Sequence, residues 1–168
     1  MPAAEGRENI QKLAEQPRLG EATSRYVLAS RPVHDGLRQI LTQIAGVALL
    51  VIVPGRVPAM LGGPVDFASR ALSPVRDALD ALQVPPRAQH HHFHLSAAAS
   101  ALARSLDLLT SCLRPDASDS ERDALVRGLR NATDHLRAAT RLLPGFEMAD
   151  LTQACCAVHA GPQQWLCV

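Results

Sequence analysis

The sequence predicts an all-α protein. Apolar residues recur at three- and four-residue spacings along most of the chain, and the strict alternation that is typical of half-buried strands is nearly absent. Segments rich in proline and glycine divide the periodic stretches into four helices. Because the connections are short, neighbouring helices must be antiparallel. The expected architecture is therefore an up-down-up-down four-helix bundle, with an additional N-terminal helix or arm and a short C-terminal helical tail.

The first two predicted helices cover residues 32–52 and 65–83. Pro32 suits the first turn of a helix. The apolar stripe of the first helix is His34, Leu37, Leu41, Ile44, Ala48 and Val51. The stripe of the second helix is Ala68, Leu72, Val75, Leu79 and Leu82. Ser73 and Pro74 either kink the second helix or divide it in two, because serine is a good N-cap and proline a good first helical residue.

The third and fourth predicted helices cover residues 87–113 and 118–143. The stripe of the third helix is His91, Leu95, Ala98, Leu102, Leu106, Leu109 and Leu113. The fourth helix opens with Ser118 and Glu121 at the spacing of a capping box. It directs six residues inward: Leu125, Leu129, Ala132, Leu136, Ala139 and Leu143.

Bulk composition fits one soluble domain, divided into an arm (residues 1–31) and a bundle with its tail (residues 32–168). The 168 residues are 47% hydrophobic and 20% charged, which is sufficient for a core. A net charge of +1 and an aromatic content of 3% argue against nucleic-acid binding. The N-terminus lacks a signal-peptide pattern, and the longest apolar run is about half the length of a membrane span. Four cysteines, two of them adjacent, do not resemble a secreted disulfide framework, so we expect a cytoplasmic protein.

Two histidines are predicted to face the core at one end of the bundle. At 100° per residue, His34 lies on the stripe of the first helix and His91 on the stripe of the third. In an up-down-up-down bundle both helix starts lie at the same end, where the fourth helix finishes. The other histidines of these helices should be peripheral: His92 and His94 flank the stripe, whereas His90 and His135 point to solvent.

The segment after the fourth helix carries further metal-binding side chains to this end. In a helical tail, Cys155 and His159 would share a face, and Cys156 would lie three residues before His159. Imidazole and thiolate suit zinc, copper or iron, and helix bundles often build metal sites from facing helices. The sequence thus predicts a transition-metal site, zinc by default, with six candidate ligands: His34, His91, His94, Cys155, Cys156 and His159.

Structural roles are the alternative for these residues. A histidine at a helix start can be a hydrogen-bonded boundary residue, and the histidine run can be a solvated cap. Buried free cysteines, such as Cys112, commonly pack as small hydrophobes. A thiol-dependent enzyme, in which Cys155 or Cys156 pairs with His159 or His91, is a further alternative. The sequence therefore leaves open whether the protein is an enzyme.

The competing function is a helical interaction module. The segment between Ile44 and Val53 is hydrophobic nearly all round, and a helix of this kind must be covered on every side. Either the other three helices supply the cover, or a second subunit completes it. The second case predicts a homodimer through this segment.

Overall fold

The computed structural model describes residues 19–52 and 61–146. Within these ranges the chain forms four α-helices and no strand, so the all-α class is confirmed. The helices are α1 (Glu21–Ile52), α2 (Gly62–Asp80), α3 (Gln89–Cys112) and α4 (Asp119–Leu142), and a 3₁₀ turn, Pro86–Ala88, precedes α3. The first part of the predicted arm and the whole predicted tail from residue 147 lie outside the described residues.

Two helices continue through prolines that the sequence suggested as boundaries. α1 begins at Glu21, so the predicted start at Pro32 is wrong, and α2 is not divided at Pro74. A proline inside a helix leaves the carbonyl four residues earlier without its N–H donor. Those carbonyls belong to Leu28 and Arg70, and both residues are exposed, as are the two prolines. Water can therefore replace the missing donor, and neither helix has to end.

The ends of α4 are defined by local hydrogen bonding and by a glycine. The predicted capping box is confirmed: the Ser118 hydroxyl accepts from the Glu121 N–H at 3.3 Å, and the Glu121 carboxylate accepts from the Ser118 N–H at 2.8 Å. After α4, Gly145 adopts a φ of +94°, a conformation that costs glycine little. This turn precedes Phe146, which is buried.

All four helices contribute to the main hydrophobic core, and a second, smaller cluster contains Tyr26, Ala88, Leu143 and Phe146. The largest fully buried aliphatic side chains of the main core are Leu37, Ile44, Leu95, Leu102, Leu109 and Leu125. The most extensive helix–helix contact joins α3 and α4. The helices approach closely at Gly128, where a Cβ atom would lie 2.6 Å from the Ser105 hydroxyl oxygen. The α3–α4 pair is therefore a tightly packed platform for the side chains that it carries.

Candidate functional site

A cluster of four ring side chains lies at the beginning of α3. We call Tyr26, His34, His91 and Phe146 the buried imidazole cluster. Both histidines are 1% exposed, so the prediction that they face the core is confirmed. The Phe146 ring centroid lies 5.3 Å from that of His34 and 4.3 Å from that of His91. The Tyr26 hydroxyl is 2.9 Å from His91 Nδ1.

The early start of α1 explains why Tyr26 belongs to this cluster. Tyr26, Ser30 and His34 follow one another at four-residue spacing and are all buried, so they share one face of α1. The Ser30 hydroxyl donates to the Tyr26 carbonyl at 2.7 Å, which satisfies that buried polar group. Sequence reasoning missed Tyr26 because it assigned residues 1–31 to an arm. The same four-residue spacing, traced backwards from His34, could have found it.

Burial keeps the cluster neutral. It lowers the pKa of His91 to about 4, with smaller contributions from neighbouring histidines, and it also lowers the pKa of His34. Burial raises the pKa of Tyr26 to about 12. In the described part of the chain, the Nε2 atoms of His34 and His91 are both buried without a hydrogen-bond partner. Buried polar atoms without a partner are rare in folded proteins. The unprotonated nitrogen of a neutral imidazole can bind a metal ion, which is one explanation for such an atom.

His94, the third predicted histidine ligand, makes its contacts elsewhere. Its Nδ1 atom lies 2.9 Å from Nδ1 of His135 on α4, and we call these two residues the interhelical histidine pair. Among the described residues, no hydrogen bond or ring contact joins His94 to His34 or His91. His135 was expected to be mostly exposed, but it is partly buried, because the side chain of His94 on α3 packs against it.

The predicted metal site stays a prediction. Over residues 19–52 and 61–146, no group of three or more His, Cys, Asp or Glu side chains could hold a metal ion. The remaining candidate ligands, Cys155, Cys156 and His159, lie outside the described residues. Cys112 is fully buried, and burial raises the pKa of its thiol, so it packs as a small apolar side chain.

An open groove of about 920 Å³ separates the second half of α1 from α4. We call it the α1–α4 groove; its apolar lining includes Leu41, Ala45, Leu49, Ile52, Val126 and Leu129. Leu49 is 69% exposed and the adjacent Leu50 is 52% exposed. The other helices therefore cover only one side of the apolar segment that begins at Ile44, where Ile44, Val47, Ala48 and Val51 are buried.

α1 is also the one described helix that is long and apolar enough to cross a membrane, judged by length and composition alone. The core helix of a soluble protein passes the same test. A signal sequence near the N-terminus passes it as well, and 33% of the apolar window of α1 is buried in the protein.

Comparisons with protein-family models, curated proteins and solved structures give no match for this chain. Three features of the described residues can support a function: the buried imidazole cluster, the interhelical histidine pair and the α1–α4 groove.

Proposed function

We propose that the chain is a helical protein–protein interaction module that forms a homodimer through the α1–α4 groove. The observation that carries the proposal is Leu49, which is 69% exposed at the wall of an open groove of about 920 Å³. A projecting leucine beside an apolar recess is self-complementary, since each copy offers both a side chain and a place to receive one. Two-fold symmetric dimers require such a surface.

The exposed face of α1 favours close approach of a second copy. No charged residue occurs from Gln39 to Ile52, so two copies of α1 can meet without like-charge repulsion. Gly46 lies in the middle of this stretch and is exposed, and a Cβ atom there would meet nothing within 4 Å. An antiparallel crossing at Gly46 directs Leu49 of each copy towards the groove of the other.

The composition of the surface suits a reversible interface. Full burial of an exposed leucine side chain contributes about 1.5–3 kcal/mol. A dimer gains the share of this that corresponds to the exposed part of Leu49 and Leu50 in both copies, less the cost of association. Arg130, Asp134 and Arg137 border the groove on α4 and supply a polar rim of mixed charge. An uncharged centre with a charged rim is the usual pattern of an interface in proteins that also exist as soluble monomers.

Light scattering over a wide concentration range tests the proposal with two matched variants. Leu49→Glu places a charge in the proposed interface and is expected to give a monomer. Leu28→Glu changes an equally exposed leucine of the same helix, outside the groove, and is expected to dimerise like the parent chain. A parent chain that is monomeric at every concentration would overturn the proposal. If deleting residues 147–168 from such a monomer increased dye binding, the groove would belong to the chain's own C-terminal segment.

The same proposal includes an up-down-up-down bundle and a cytoplasmic location. Contacts between α1 and α2, α2 and α3, and α3 and α4 support the bundle, since helices that are consecutive in sequence are neighbours in space. The arrangement of the four cysteines, two of them adjacent, and the free, buried Cys112 support a reducing compartment.

Transition-metal binding is a second candidate function, favoured by the two unpartnered Nε2 atoms of His34 and His91. Both imidazoles are held in the neutral form that a metal requires. The chain continues from Phe146 into the segment that carries Cys155, Cys156 and His159, which would complete a zinc site.

Metal analysis by plasma mass spectrometry of untagged protein, purified without chelators, tests this second candidate. Stoichiometric zinc that is lost in His34→Gln and kept in His90→Gln would support it; His90 is the matched control because it is exposed. Zinc uptake that does not change in His34→Gln would exclude the cluster as the binding site.

A further inference from the structure

The interhelical histidine pair brings two imidazole nitrogens from different helices into direct contact. His94 Nδ1 and His135 Nδ1 are 2.9 Å apart, and the ring centroids are 5.2 Å apart with an interplanar angle of 45°. The Phe93 ring packs edge-on against both imidazoles, at 5.3 Å from His94 and 6.2 Å from His135. The two rings are therefore held in place by each other and by an aromatic neighbour.

The pair bridges α3 and α4, whose mutual contact is the most extensive between helices in the described part of the chain. Gly128 allows these two helices to approach closely. Both histidines are partly buried, so they are positioned by the protein and remain accessible from solvent. Ligands that are positioned before a metal arrives lose little conformational entropy when it binds.

We propose that the interhelical histidine pair binds a divalent transition-metal ion, Cu²⁺ in preference to Ni²⁺ or Zn²⁺, through the two Nδ1 atoms. Two nitrogens at 2.0–2.1 Å from one ion and about 90° apart are separated by about 2.9 Å, which suits tetragonal Cu²⁺. A tetrahedral Zn²⁺ ion needs a separation of about 3.3 Å, so the rings would have to move apart. The observed 2.9 Å is also an ordinary hydrogen-bond distance, so the two rings need to turn, and not to separate, for both Nδ1 lone pairs to face one Cu²⁺ ion.

The protonation states are compatible with binding. In the metal-free pair, one Nδ1 carries the proton that the other accepts. Binding requires this proton to move to Nε2 of its own ring, so that both rings stay neutral and both Nδ1 lone pairs face the ion. Partial burial lowers the pKa of His94, and the neighbouring His135 and His90 lower it further.

Solvent completes the coordination. In the ranges that the structure describes, no third His, Cys, Asp or Glu side chain forms a metal-binding group with the pair. Water molecules can occupy the remaining positions, and an ion with exchangeable water ligands is open to small anions. Preference for Cu²⁺ follows from the general stability order of divalent ions with nitrogen ligands.

Titration of the full-length, untagged chain with Cu²⁺, against a competing chelator, tests the proposal. We expect His94→Gln and His135→Gln each to weaken Cu²⁺ binding about tenfold or more, because each removes one of two imidazole ligands. His90→Gln is the matched control and is expected to bind like the parent chain. Electron paramagnetic resonance of the parent complex should show two coupled nitrogens, and each variant should show one fewer.

The His135→Gln variant is the critical test, because His135 lies on α4 and outside the histidine run of α3. If His135→Gln binds Cu²⁺ as tightly as the parent chain, the run alone captures the metal and the proposal is wrong. Circular dichroism of each metal-free variant shows whether it is folded. A folded His135→Gln chain that loses the parent's Cu²⁺-dependent rise in melting temperature supports a link between α3 and α4.

Discussion

The two halves of α1 differ in what they bury. In the first half, the buried face carries the phenol of Tyr26, the hydroxyl of Ser30 and the imidazole of His34. In the second half, the buried face is aliphatic, and two further leucines, Leu49 and Leu50, lie exposed on the other side. One helix therefore buries polar groups at one end and only aliphatic groups at the other, while exposed leucines occur in both halves, since Leu28 is 74% exposed.

Because of this difference, the stability of the two halves of α1 depends on two different kinds of interaction. Buried polar groups need partners, so the first half of α1 depends on hydrogen bonds and on the protonation state of its neighbours. The second half depends on packing, and its exposed leucines cost the isolated chain little. Stability at the two ends should consequently respond to different perturbations, and four experiments can break or sharpen that contrast.

Truncating the aliphatic half should give the largest effect. Ile44 is 1% exposed, so Ile44→Ala is expected to lower the free energy of unfolding by about 3–4 kcal/mol, through lost burial and an unfilled cavity. Leu49→Ala, five residues away on the exposed side, should cost less than about 0.5 kcal/mol. Denaturant unfolding of dilute protein measures both. Comparable losses would show that Leu49 is covered even in the dilute chain.

Lowering the pH should destabilise the folded chain through the buried imidazole cluster, which lies at the polar half of α1. The folded-state pKa of His91 is about 4, below the usual 6.5, so the unfolded chain binds a proton that the folded chain excludes. The contribution of His91 to the free energy of unfolding is therefore fully present above pH 6.5, falls as the pH drops towards 4 and is lost below that pH. The total loss from this one group is of order 3 kcal/mol. Unfolding measured against pH should show this slope. His91→Asn should reduce this slope and leave the part that His34 contributes, because burial lowers the pKa of His34 too. The exposed His90→Asn should keep the full slope, and an equal slope in both variants would contradict the assignment to His91.

Removing one hydroxyl should have a smaller effect in the same half. Tyr26→Phe leaves the ring in place but deprives His91 Nδ1 of its partner at 2.9 Å, at an expected cost of about 1–2 kcal/mol. A double-mutant cycle with His91→Asn isolates the energy of this contact. Additive effects in the cycle would mean that the hydroxyl and the imidazole do not stabilise each other.

The helices of this protein follow from local sequence information. Hydrophobic spacing predicted four helices, the burial of His34 and His91, and most of the core positions, although Leu41 and Leu129 are only partly buried and Ile40 was missed. The Ser118 capping box marked the start of α4. Each of these features depends on residues within one helix, where a period of 3.6 residues relates sequence to space. The α1 boundary failed for a local reason too, because a proline on a solvent-facing side does not have to end a helix.

The candidate sites depend on relations between helices, which a single periodicity does not contain. His94 meets His135 because α3 and α4 have particular rotations about their axes and lie close together. The α1–α4 groove exists because these two helices are less closely packed than α3 and α4. Rotation and spacing are set by which side chains interdigitate across each interface, so neither feature could be read from one helix alone.

Alanine substitutions at the two glycines of α1 are expected to change the stability least, and their comparison distinguishes a covered position from an open one. At Gly46 an added Cβ atom meets nothing within 4 Å, whereas at Gly36 it would lie 2.9 Å from Val75 Cγ2 on α2. Replacing a helical glycine with alanine stabilises by about 0.5–1 kcal/mol when the methyl group has space. Gly46→Ala should therefore stabilise the dilute chain, and Gly36→Ala should gain nothing or lose stability, as measured by thermal unfolding.

Destabilisation of the dilute Gly46→Ala chain would show that another segment already packs there. A Gly46→Ala chain that is more stable when dilute but dimerises less would place the second copy on this face, because the same methyl group helps the helix and obstructs the contact.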